Sequence, residues 1–290
     1  MSAEQGRKIS GDWYLETETF GYAQGIRLRK RLAKIQTSFQ ALEIIDSEIF
    51  GRCLILDDAL QTSEWDEFMY HEMLVHVPLF THPDPRRILI IGGGDGGTLR
   101  RVLEHPRTQP VQVEIDQAVI EFCKEHIPAV SNGAFDDPRA QVVIADGFEF
   151  VCDHPNEFDV VIIDSTDPVG PAIPLFQEPF YRDVFAALAD DGILAAQSSS
   201  PLYMAKQLQA QLRNLRPVFP IVRTYLGLVP AYPGGLWSYS IGSKRYDPLA
   251  VAHASIASRL ASAGMVTRYY SPEVHQAAFV LPGFIADLAE

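Results

Sequence analysis

The chain has 290 residues, of which 47% are hydrophobic and 21% charged, and its net charge is −13. This length and composition are typical of a globular protein with one large domain and one smaller domain. Nucleic acids and anionic membranes attract proteins rich in lysine and arginine, so we expect this acidic chain to bind neither.

The cysteines and the apolar runs indicate where the protein works. Cys53, Cys123 and Cys152 are odd in number and far apart, which favours a reducing compartment over a disulfide framework, and we interpret all three as core residues. No apolar run approaches the roughly 18 residues of a membrane span. Residues 1–10 also lack the apolar core of a secretion signal. We therefore expect a cytoplasmic protein.

Short alternating runs between turns fill residues 11–62 and predict antiparallel strands and hairpins. Residues 63–66, Ser-Glu-Trp-Asp, resemble a capping box, so a helix is predicted over 66–80, before Pro83 and Pro85. The predicted domains are therefore a β-hairpin domain over 1–65 and a second domain over 66–290, with this helix at the junction.

After Pro85 buried strands alternate with helices. The predicted strands are 88–91, 111–115, 142–145, 160–163 and 193–196. This alternation is typical of an α/β fold with a parallel sheet covered on both faces. A hairpin of 221–228 and 238–242 is expected at the sheet edge, and helices are predicted over 250–263 and from Ser271-Pro272 onward.

A glycine-rich loop follows the first of these strands, with the sequence Gly-Gly-Gly-Asp-Gly-Gly over 92–97. Such a loop between a strand and a helix predicts a nucleotide site in which the ligand lies against bare backbone. Asp95 is unusual there, because a carboxylate would repel the pyrophosphate of a dinucleotide. Arg100 and Arg101, in the helix that follows, are expected to face solvent.

Acidic residues follow each of the first four parallel strands. They are Asp95, Glu114, Asp146, and Asp164 with Asp167. One such residue alone is more often a turn or helix-capping residue. Since ligands bind over the carboxyl ends of strands in an open parallel sheet, the four positions together predict one binding site.

The acids differ in what they would bind. Glu114 stands 17 residues beyond Gly97, near the spacing of an acid that binds ribose hydroxyls in both nicotinamide and S-adenosyl enzymes. Asp146-Gly147 suits adenine, although an ordinary turn is the alternative. Asp95, Asp164 and Asp167 favour cationic groups, such as a sulfonium and an ammonium. Because Asp95 would repel the carboxylate of S-adenosylmethionine, we expect decarboxylated S-adenosylmethionine as the co-substrate.

With these residues the chain closely resembles the bacterial spermidine synthases, which are polyamine aminopropyltransferases. The resemblance covers nearly the whole chain and runs through residues 39–40, 56–62, 66–73, 92–97, 113–116, 146–147, 164–171, 232–235 and 268–270. It implies a Rossmann-like, methyltransferase-type parallel sheet with a small N-terminal antiparallel β domain, assembled as a homodimer.

The resemblance also implies site residues. The nucleoside would be held by Gln40, Glu114, Asp146, Gly147 and Pro171. The aminopropyl group and the amine would be bound by Tyr70, His71, Asp95, Asp164, Ser165, Thr166, Asp167 and Tyr232, with Gln197 at the far end of the amine. Ala231 and residues 198–200, Ser-Ser-Ser, depart from the family pattern on the amine side, and Trp13 and Tyr14 match an N-terminal aromatic of the family only loosely.

The implied reaction transfers the 3-aminopropyl group from decarboxylated S-adenosylmethionine to putrescine, giving spermidine and 5'-methylthioadenosine. Asp164 would accept the proton of the amine, while Asp167 and Tyr70 orient it. Because the sulfonium is already activated, no metal or redox cofactor is expected. His71 and His76 also lack the four-residue spacing of a zinc helix.

Several alternatives stay open from the sequence. The acceptor could be cadaverine, a longer diamine or spermidine, and the enzyme could be an amine N-methyltransferase that uses S-adenosylmethionine. A nicotinamide oxidoreductase and a polyamine-binding protein without activity are further alternatives. Tyr70 and His71 could also be ordinary core residues of their helix.

Overall fold

The computed structural model describes residues 11–17, 21–168 and 170–289, without the side chains of residues 170 and 171. Five antiparallel strands form the N-terminal sheet in sequence order. They are β1 (Trp13–Thr17), β2 (Ala23–Gln36), β3 (Ala41–Ser47), β4 (Gly51–Leu56) and β5 (Ala59–Ser63). The predicted N-terminal antiparallel sheet is confirmed. The predicted absence of a signal segment concerns residues 1–10, which lie outside the described residues.

The second sheet has seven strands in the order β11-β12-β10-β9-β6-β7-β8. They are β6 (Arg87–Gly92), β7 (Gln109–Glu114), β8 (Gln141–Ile144), β9 (Phe158–Asp164), β10 (Leu188–Gln197), β11 (Ile221–Leu228) and β12 (Leu236–Ser243). Strands β6 to β10 run parallel to one another. Strand β12 pairs antiparallel with β10, and β11 pairs antiparallel with β12. The sheet is therefore Rossmann-like with the predicted hairpin at one edge.

Helices connect the strands and cover both faces of this sheet. They are α1 (Glu67–Thr81), α2 (Gly97–Leu103), α3 (Gln117–His126), α4 (Pro128–Ser131), α5 (Gly147–Cys152), α6 (Glu178–Ala187), α7 (Ala205–Leu215), α8 (His253–Ala263), α9 (Pro272–Ala277) and α10 (Gly283–Ala289). Short 3₁₀ helices span Ala134–Asp136, Gly170–Phe176 and Pro248–Ala250.

Two apolar cores lie on opposite faces of the large sheet. Along β6, Ile88 and Ile90 contribute to one core, and Leu89 and Ile91 contribute to the other. This alternation follows from the two-residue period of a strand. Burial on both faces explains why the sequence shows continuous apolar runs there.

Helix α1 connects the two sheets and is buried over nearly its whole length. The predicted capping box forms only in part. The Ser63 hydroxyl accepts the Asp66 N–H at 3.3 Å, as in such a box, and donates to Asp66 Oδ1 at 2.6 Å. However, Ser63 is the last residue of β5, and Asp66, which directly precedes the helix, makes no side-chain cap bond. The buried Asp66 in turn accepts a hydrogen bond from the Ala231 N–H at 2.8 Å, so the junction is tied to the loop between β11 and β12.

Two expectations about single residues are corrected. Cys53 and Cys123 are buried, but Cys152 is exposed at the end of α5. Arg101 is buried rather than solvated, and Arg100 is half-buried.

Among the helices of the described residues, none has both the length and the apolarity that crossing a membrane requires.

Candidate active site

A cavity of about 900 Å³ opens over the carboxyl ends of the parallel strands. Its lining includes almost every site residue expected from the sequence, namely Gln40, Tyr70, His71, Asp95, Glu114, Asp146, Gly147, Asp164, Ser165, Thr166, Asp167, Gln197 and Tyr232. The side chain of Pro171 lies outside the described residues. The fold thus brings residues that are far apart in sequence to one edge of the sheet, as the strand order predicts.

The glycine loop makes room for other parts of the protein, the backbone of Asp164 and the ring of His71. Gly92 has a φ of +85°, and a Cβ there would lie 2.3 Å from the carbonyl oxygen of Asp164. A Cβ on Gly97 would lie 2.1 Å from the ring of His71. The loop was expected to leave bare backbone for a ligand, but these two glycines are required by the close approach of Asp164 and His71.

We call the region formed by Gln40, Glu114, Asp146 and Gly147 the β7–β8 side of the cavity. Glu114 ends β7 and accepts a hydrogen bond from the N–H of Asp116 at 3.0 Å. Burial raises the pKa of this carboxyl to about 7. Gln40 lies beside it, with its amide nitrogen 3.4 Å from Asp116 Oδ2.

Asp146 serves as both a cavity residue and a helix cap. Its Oδ1 accepts the N–H of Phe148 at 2.8 Å at the start of α5. A Cβ on Gly147 would lie 2.5 Å from Ile91 Cγ2. Close packing against β6 therefore requires glycine at this position. The sequence predicted that this glycine leaves room for an adenine ring, which is only part of its role.

Three ionisable residues in the middle of the cavity, His71, Asp95 and Asp164, form what we call the central cluster. Their nearest nitrogen and oxygen atoms all lie within 4.8 Å of one another. Asp164 ends β9 and accepts the phenol hydroxyl of Tyr70 on its Oδ1 at 2.7 Å. Burial raises the pKa of Asp164, although the charge of His71 partly opposes this.

His71 links the central cluster to a buried ion-pair network. Its Nδ1 lies 2.9 Å from Glu67 Oε2, and its Nε2 lies 3.5 Å from Asp95 Oδ2. Glu67 also pairs with the buried Arg101 at 2.9 Å. Burial alone would lower the pKa of His71, but Asp95 and Glu67 raise it to about 10. His71 is therefore an imidazolium at neutral pH.

Asp95 is held between this imidazolium and the start of α2. Its Oδ1 accepts the N–H of Gly97 at 2.8 Å. Burial would raise the pKa of Asp95, but the charge of His71 and these hydrogen bonds lower it. Asp95 is thus a buried carboxylate that stays ionised. This is the charge state that it needs to discriminate between S-adenosylmethionine and its decarboxylated form.

The central cluster also has the residue types of a metal site. Both ring nitrogens of His71, however, already face carboxylates, Nδ1 that of Glu67 at 2.9 Å and Nε2 that of Asp95 at 3.5 Å. The arrangement suits a salt-bridged network better than a metal centre.

Asp167 lies at the end of the cavity formed by β10 and the loop after β9. Its Oδ1 accepts hydrogen bonds from Ser199 Oγ at 2.5 Å and from Gln197 Nε2 at 3.3 Å. Gln197 Nε2 also donates to the carbonyl of Ser165 at 3.2 Å. The sequence expectation named Gln197 and Asp167, and the structure adds Ser199 as their common partner.

The N-terminal sheet supplies cavity residues that sequence reasoning missed. Glu16 of β1 is buried, lines the cavity, and accepts hydrogen bonds from the Leu60 N–H and the Gln24 amide. Trp13 and Tyr14, the loosely matching aromatics, do not line the cavity, and Tyr14 instead donates to the Asp58 carbonyl at 2.6 Å. Because Glu16 lies on an edge strand far from the glycine loop in sequence, only its position close after Trp13 could have drawn attention to it.

Ala231 was expected to alter the amine side of the site. In the structure its side chain packs in the core of the N-terminal sheet and does not line the cavity. The neighbouring Tyr232 does line the cavity, and its hydroxyl donates to the Gln61 carbonyl. The serine segment, by contrast, donates a side-chain hydrogen bond to a cavity residue, from Ser199 to Asp167.

The chain matches two family models that together cover most of its length. A spermine/spermidine synthase domain matches residues 67–251, and a spermidine synthase tetramerisation domain matches residues 12–64. Among similar proteins, a polyamine aminopropyltransferase of Desulforudis audaxviator is 47% identical over 95% of this chain and 98% of its own. One from Bacillus subtilis is 44% identical over the same shares.

Solved structures agree with this assignment. A spermidine synthase in complex with the transition-state analogue AdoDATO superposes with a TM-score of 0.92 at 40% identity, over 99% of this chain and 98% of that chain. Spermidine synthase from Thermotoga maritima has a TM-score of 0.90 at 40% identity, over the same shares. The chain therefore belongs to the spermidine synthase family, the polyamine aminopropyltransferases, and is a transferase.

Proposed function

We propose that this enzyme transfers the 3-aminopropyl group from decarboxylated S-adenosylmethionine to putrescine, giving spermidine and 5'-methylthioadenosine. The observation that carries the proposal is the central cluster, in which the buried carboxylate of Asp95 and the partly buried carboxylate of Asp164 face one cavity beside Tyr70. A cavity with this charge suits a sulfonium and an ammonium. The complex of a similar spermidine synthase with AdoDATO supports the choice of co-substrate.

The nucleoside lies on the β7–β8 side in this proposal. Glu114 accepts the ribose hydroxyls, and Gln40 stands beside it at the same end. Asp146, Gly147 and Pro171 surround the adenine. This arrangement places the sulfonium next to the glycine loop, between the β7–β8 side and the central cluster.

Asp164 is the proton acceptor in this mechanism. A primary amine has a pKa near 10.4 and arrives protonated at neutral pH. Asp164 takes this proton, and the freed lone pair attacks the carbon next to the sulfonium sulfur. The new C–N bond forms as the C–S bond breaks. The electron pair of the C–S bond stays on sulfur, which becomes the neutral thioether of methylthioadenosine. Burial, which raises the pKa of Asp164, makes it a better proton acceptor.

Tyr70, Asp167 and Gln197 position the amine. Tyr70 donates to Asp164 Oδ1 and leaves Oδ2 for the amine. Asp167 and Gln197 bind toward its far end, with Ser165, Thr166 and Tyr232 forming the walls. A correctly aligned amine reacts far faster than one that is free to rotate, which is the contribution of these residues.

Asp95 selects the co-substrate by charge. The carboxylate of S-adenosylmethionine would lie close to Asp95, whereas the amine of the decarboxylated form pairs with it. Since His71 keeps Asp95 ionised, this discrimination holds at neutral pH. The same repulsion disfavours the alternative of an amine N-methyltransferase.

The test is incubation of the enzyme with decarboxylated S-adenosylmethionine and a panel of putrescine, cadaverine, a longer diamine and spermidine. We expect putrescine to be consumed fastest, with the product mass of spermidine. Faster conversion of another amine would replace the acceptor but keep the reaction. Methylated products from S-adenosylmethionine would instead show an N-methyltransferase.

The remaining expectations belong to the same proposal. We propose a domain boundary at residues 65 and 66, a homodimer and a cytoplasmic location, with no cofactor beyond the co-substrate. The family model for the N-terminal sheet is described as a tetramerisation domain, which supports self-assembly through that sheet without favouring the dimer. Sedimentation velocity of the purified protein would distinguish a dimer from a tetramer.

A further inference from the structure

Ser199 has a backbone conformation that serine rarely adopts. Its φ of +60° lies in the left-handed region, where Cβ crowds the backbone of any residue other than glycine. Such strain persists only where the surroundings hold the residue in place, and it is concentrated at functional sites. Here the Ser199 N–H donates to Gln197 Oε1 at 2.9 Å, and its carbonyl accepts the Ser238 hydroxyl at 2.8 Å.

This conformation directs the Ser199 hydroxyl to Asp167. Ser199 Oγ donates to Asp167 Oδ1 at 2.5 Å, and the Gln197 amide donates to the same oxygen at 3.3 Å. No hydrogen bond between described side chains reaches the other oxygen, Oδ2. Asp167 lines the cavity, whereas Ser199 is buried behind it. Both donors therefore fix one oxygen and leave the second for a ligand.

We propose that Ser199 is a positioning residue that orients the Asp167 carboxylate for the ammonium of the acceptor amine. The inference rests on the proposed function, because it takes the ligand of Asp167 to be an amine. A hydroxyl that donates to a carboxylate also favours its ionised form. This effect opposes the burial that raises the pKa of Asp167. Ser199 thus acts on amine binding and leaves proton transfer at Asp164 unchanged.

Two variants separate the hydroxyl from the strained backbone. Ser199→Ala removes the hydroxyl and keeps the strain, whereas Ser199→Gly removes the hydroxyl and accepts the left-handed conformation easily. We expect both to raise the KM for the diamine about tenfold, the typical effect of losing a hydrogen bond to a charged group. The kcat and the KM for the nucleoside should stay near the wild-type values.

Ser243→Ala is the matched control. Ser243 is also a buried serine, but its hydroxyl accepts the N–H groups of Arg245 and Tyr246 at the far end of β12, away from the cavity. Its diamine KM should equal that of the wild type. If Ser199→Ala does not fold, the glycine variant provides the measurement by itself.

An unchanged diamine KM in Ser199→Gly would overturn the inference, because the hydroxyl would then not matter. An increase in the KM for the nucleoside as large as the increase in the KM for the diamine would also overturn the inference. Calorimetric titration of diamine into enzyme loaded with methylthioadenosine separates this inference from the proposed reaction. Weaker diamine binding in both variants supports the role of Ser199 even if the wild type transfers no aminopropyl group, whereas a wild type that binds no diamine overturns both.

Discussion

On the β7–β8 side of the cavity, Glu114 and Asp146 are each held by a backbone N–H two residues away. Asp95 of the central cluster also accepts such a bond, from Gly97, but this cluster has in addition contacts between side chains from three separate elements. His71 and Tyr70 come from α1, Asp95 from the loop before α2, and Asp164 from β9. The first arrangement is local and the second depends on long-range contacts.

The two regions also differ in their charge balance. Burial raises the pKa of Glu114 to about 7, and the backbone N–H groups of Ile115 and Asp116 oppose this only in part. Asp95 faces the imidazolium of His71, which keeps its pKa low. The comparison indicates that the His71 cation outweighs the effect of burial at Asp95, whereas backbone hydrogen bonds alone do not outweigh it at Glu114.

The largest effect is expected from Asp164→Asn. Asparagine keeps the shape of the side chain but cannot accept the proton of the amine, so kcat should fall about 10²- to 10⁴-fold. Steady-state kinetics with decarboxylated S-adenosylmethionine and putrescine would measure this. The exposed Asp153→Asn, at the end of α5, is the control. A loss smaller than about tenfold, below the usual contribution of a general base, would contradict the role of Asp164.

Asp95→Asn should change the choice of nucleoside. Without the carboxylate, the repulsion of S-adenosylmethionine disappears, and the preference for the decarboxylated form should fall about 10- to 100-fold. Competition between the two nucleosides for binding would measure this preference. Asp146→Asn, on the β7–β8 side, should weaken the binding of both nucleosides equally. If Asp95→Asn also weakened the binding of both equally, Asp95 would not be the residue that selects between them.

His71→Gln should change how stability depends on pH. The pKa of His71 is about 10 in the folded protein and near 6.5 in the unfolded chain. Its contribution is therefore complete below pH 6.5 and is lost as the pH rises toward 10. A shift of about 3.5 pKa units at roughly 1.4 kcal/mol each means that the wild type should lose on the order of 5 kcal/mol of unfolding free energy over this range, and the variant should lack that decline. Urea unfolding at a series of pH values would measure it, with His154→Gln as the control.

Glu114→Gln should change stability by less than His71→Gln, in a lower pH window. The folded pKa of about 7 exceeds the unfolded value, near 4.3, so the folded state holds a proton that the unfolded chain has lost. Stability of the free enzyme should therefore decline between these pH values and stay low above pH 7. A shift of about 2.7 pKa units corresponds to roughly 4 kcal/mol, so the variant should be more stable than the wild type above pH 7 by up to about this amount while it binds the nucleoside more weakly. A variant that is less stable at pH 8 would refute this explanation.

Much of the candidate site could be predicted because it depends on local patterns. Apolar strands followed by Asp95, Glu114, Asp146 or Asp164 predict acids at one sheet edge, and the structure places all of them on one cavity. The sequence could not predict that Arg101 would be buried against Glu67. A basic residue on a helix is usually solvated, and only the packing of α2 against α1 brings this one into the interior.

The capping box is a second feature that the local sequence pattern did not fully predict. Ser63 and Asp66 have the spacing of a helix start, but Ser63 is needed in β5, where it pairs with Cys53 of β4. Strand pairing prevails over a local capping preference because it also buries apolar surface. The helix therefore begins at Glu67, and Asp66, the residue before it, accepts a hydrogen bond from the Ala231 N–H.

The order of strands and helices, the two sheets and the acidic edge follow from local sequence patterns, because strand and helix periodicity and turn residues act over short distances. The protonation of His71, the partner of Asp167 and the contribution of Glu16 from the N-terminal sheet could not be predicted in this way. These features depend on contacts between residues far apart in the chain, and burial and charge at such contacts exist only after the elements have packed.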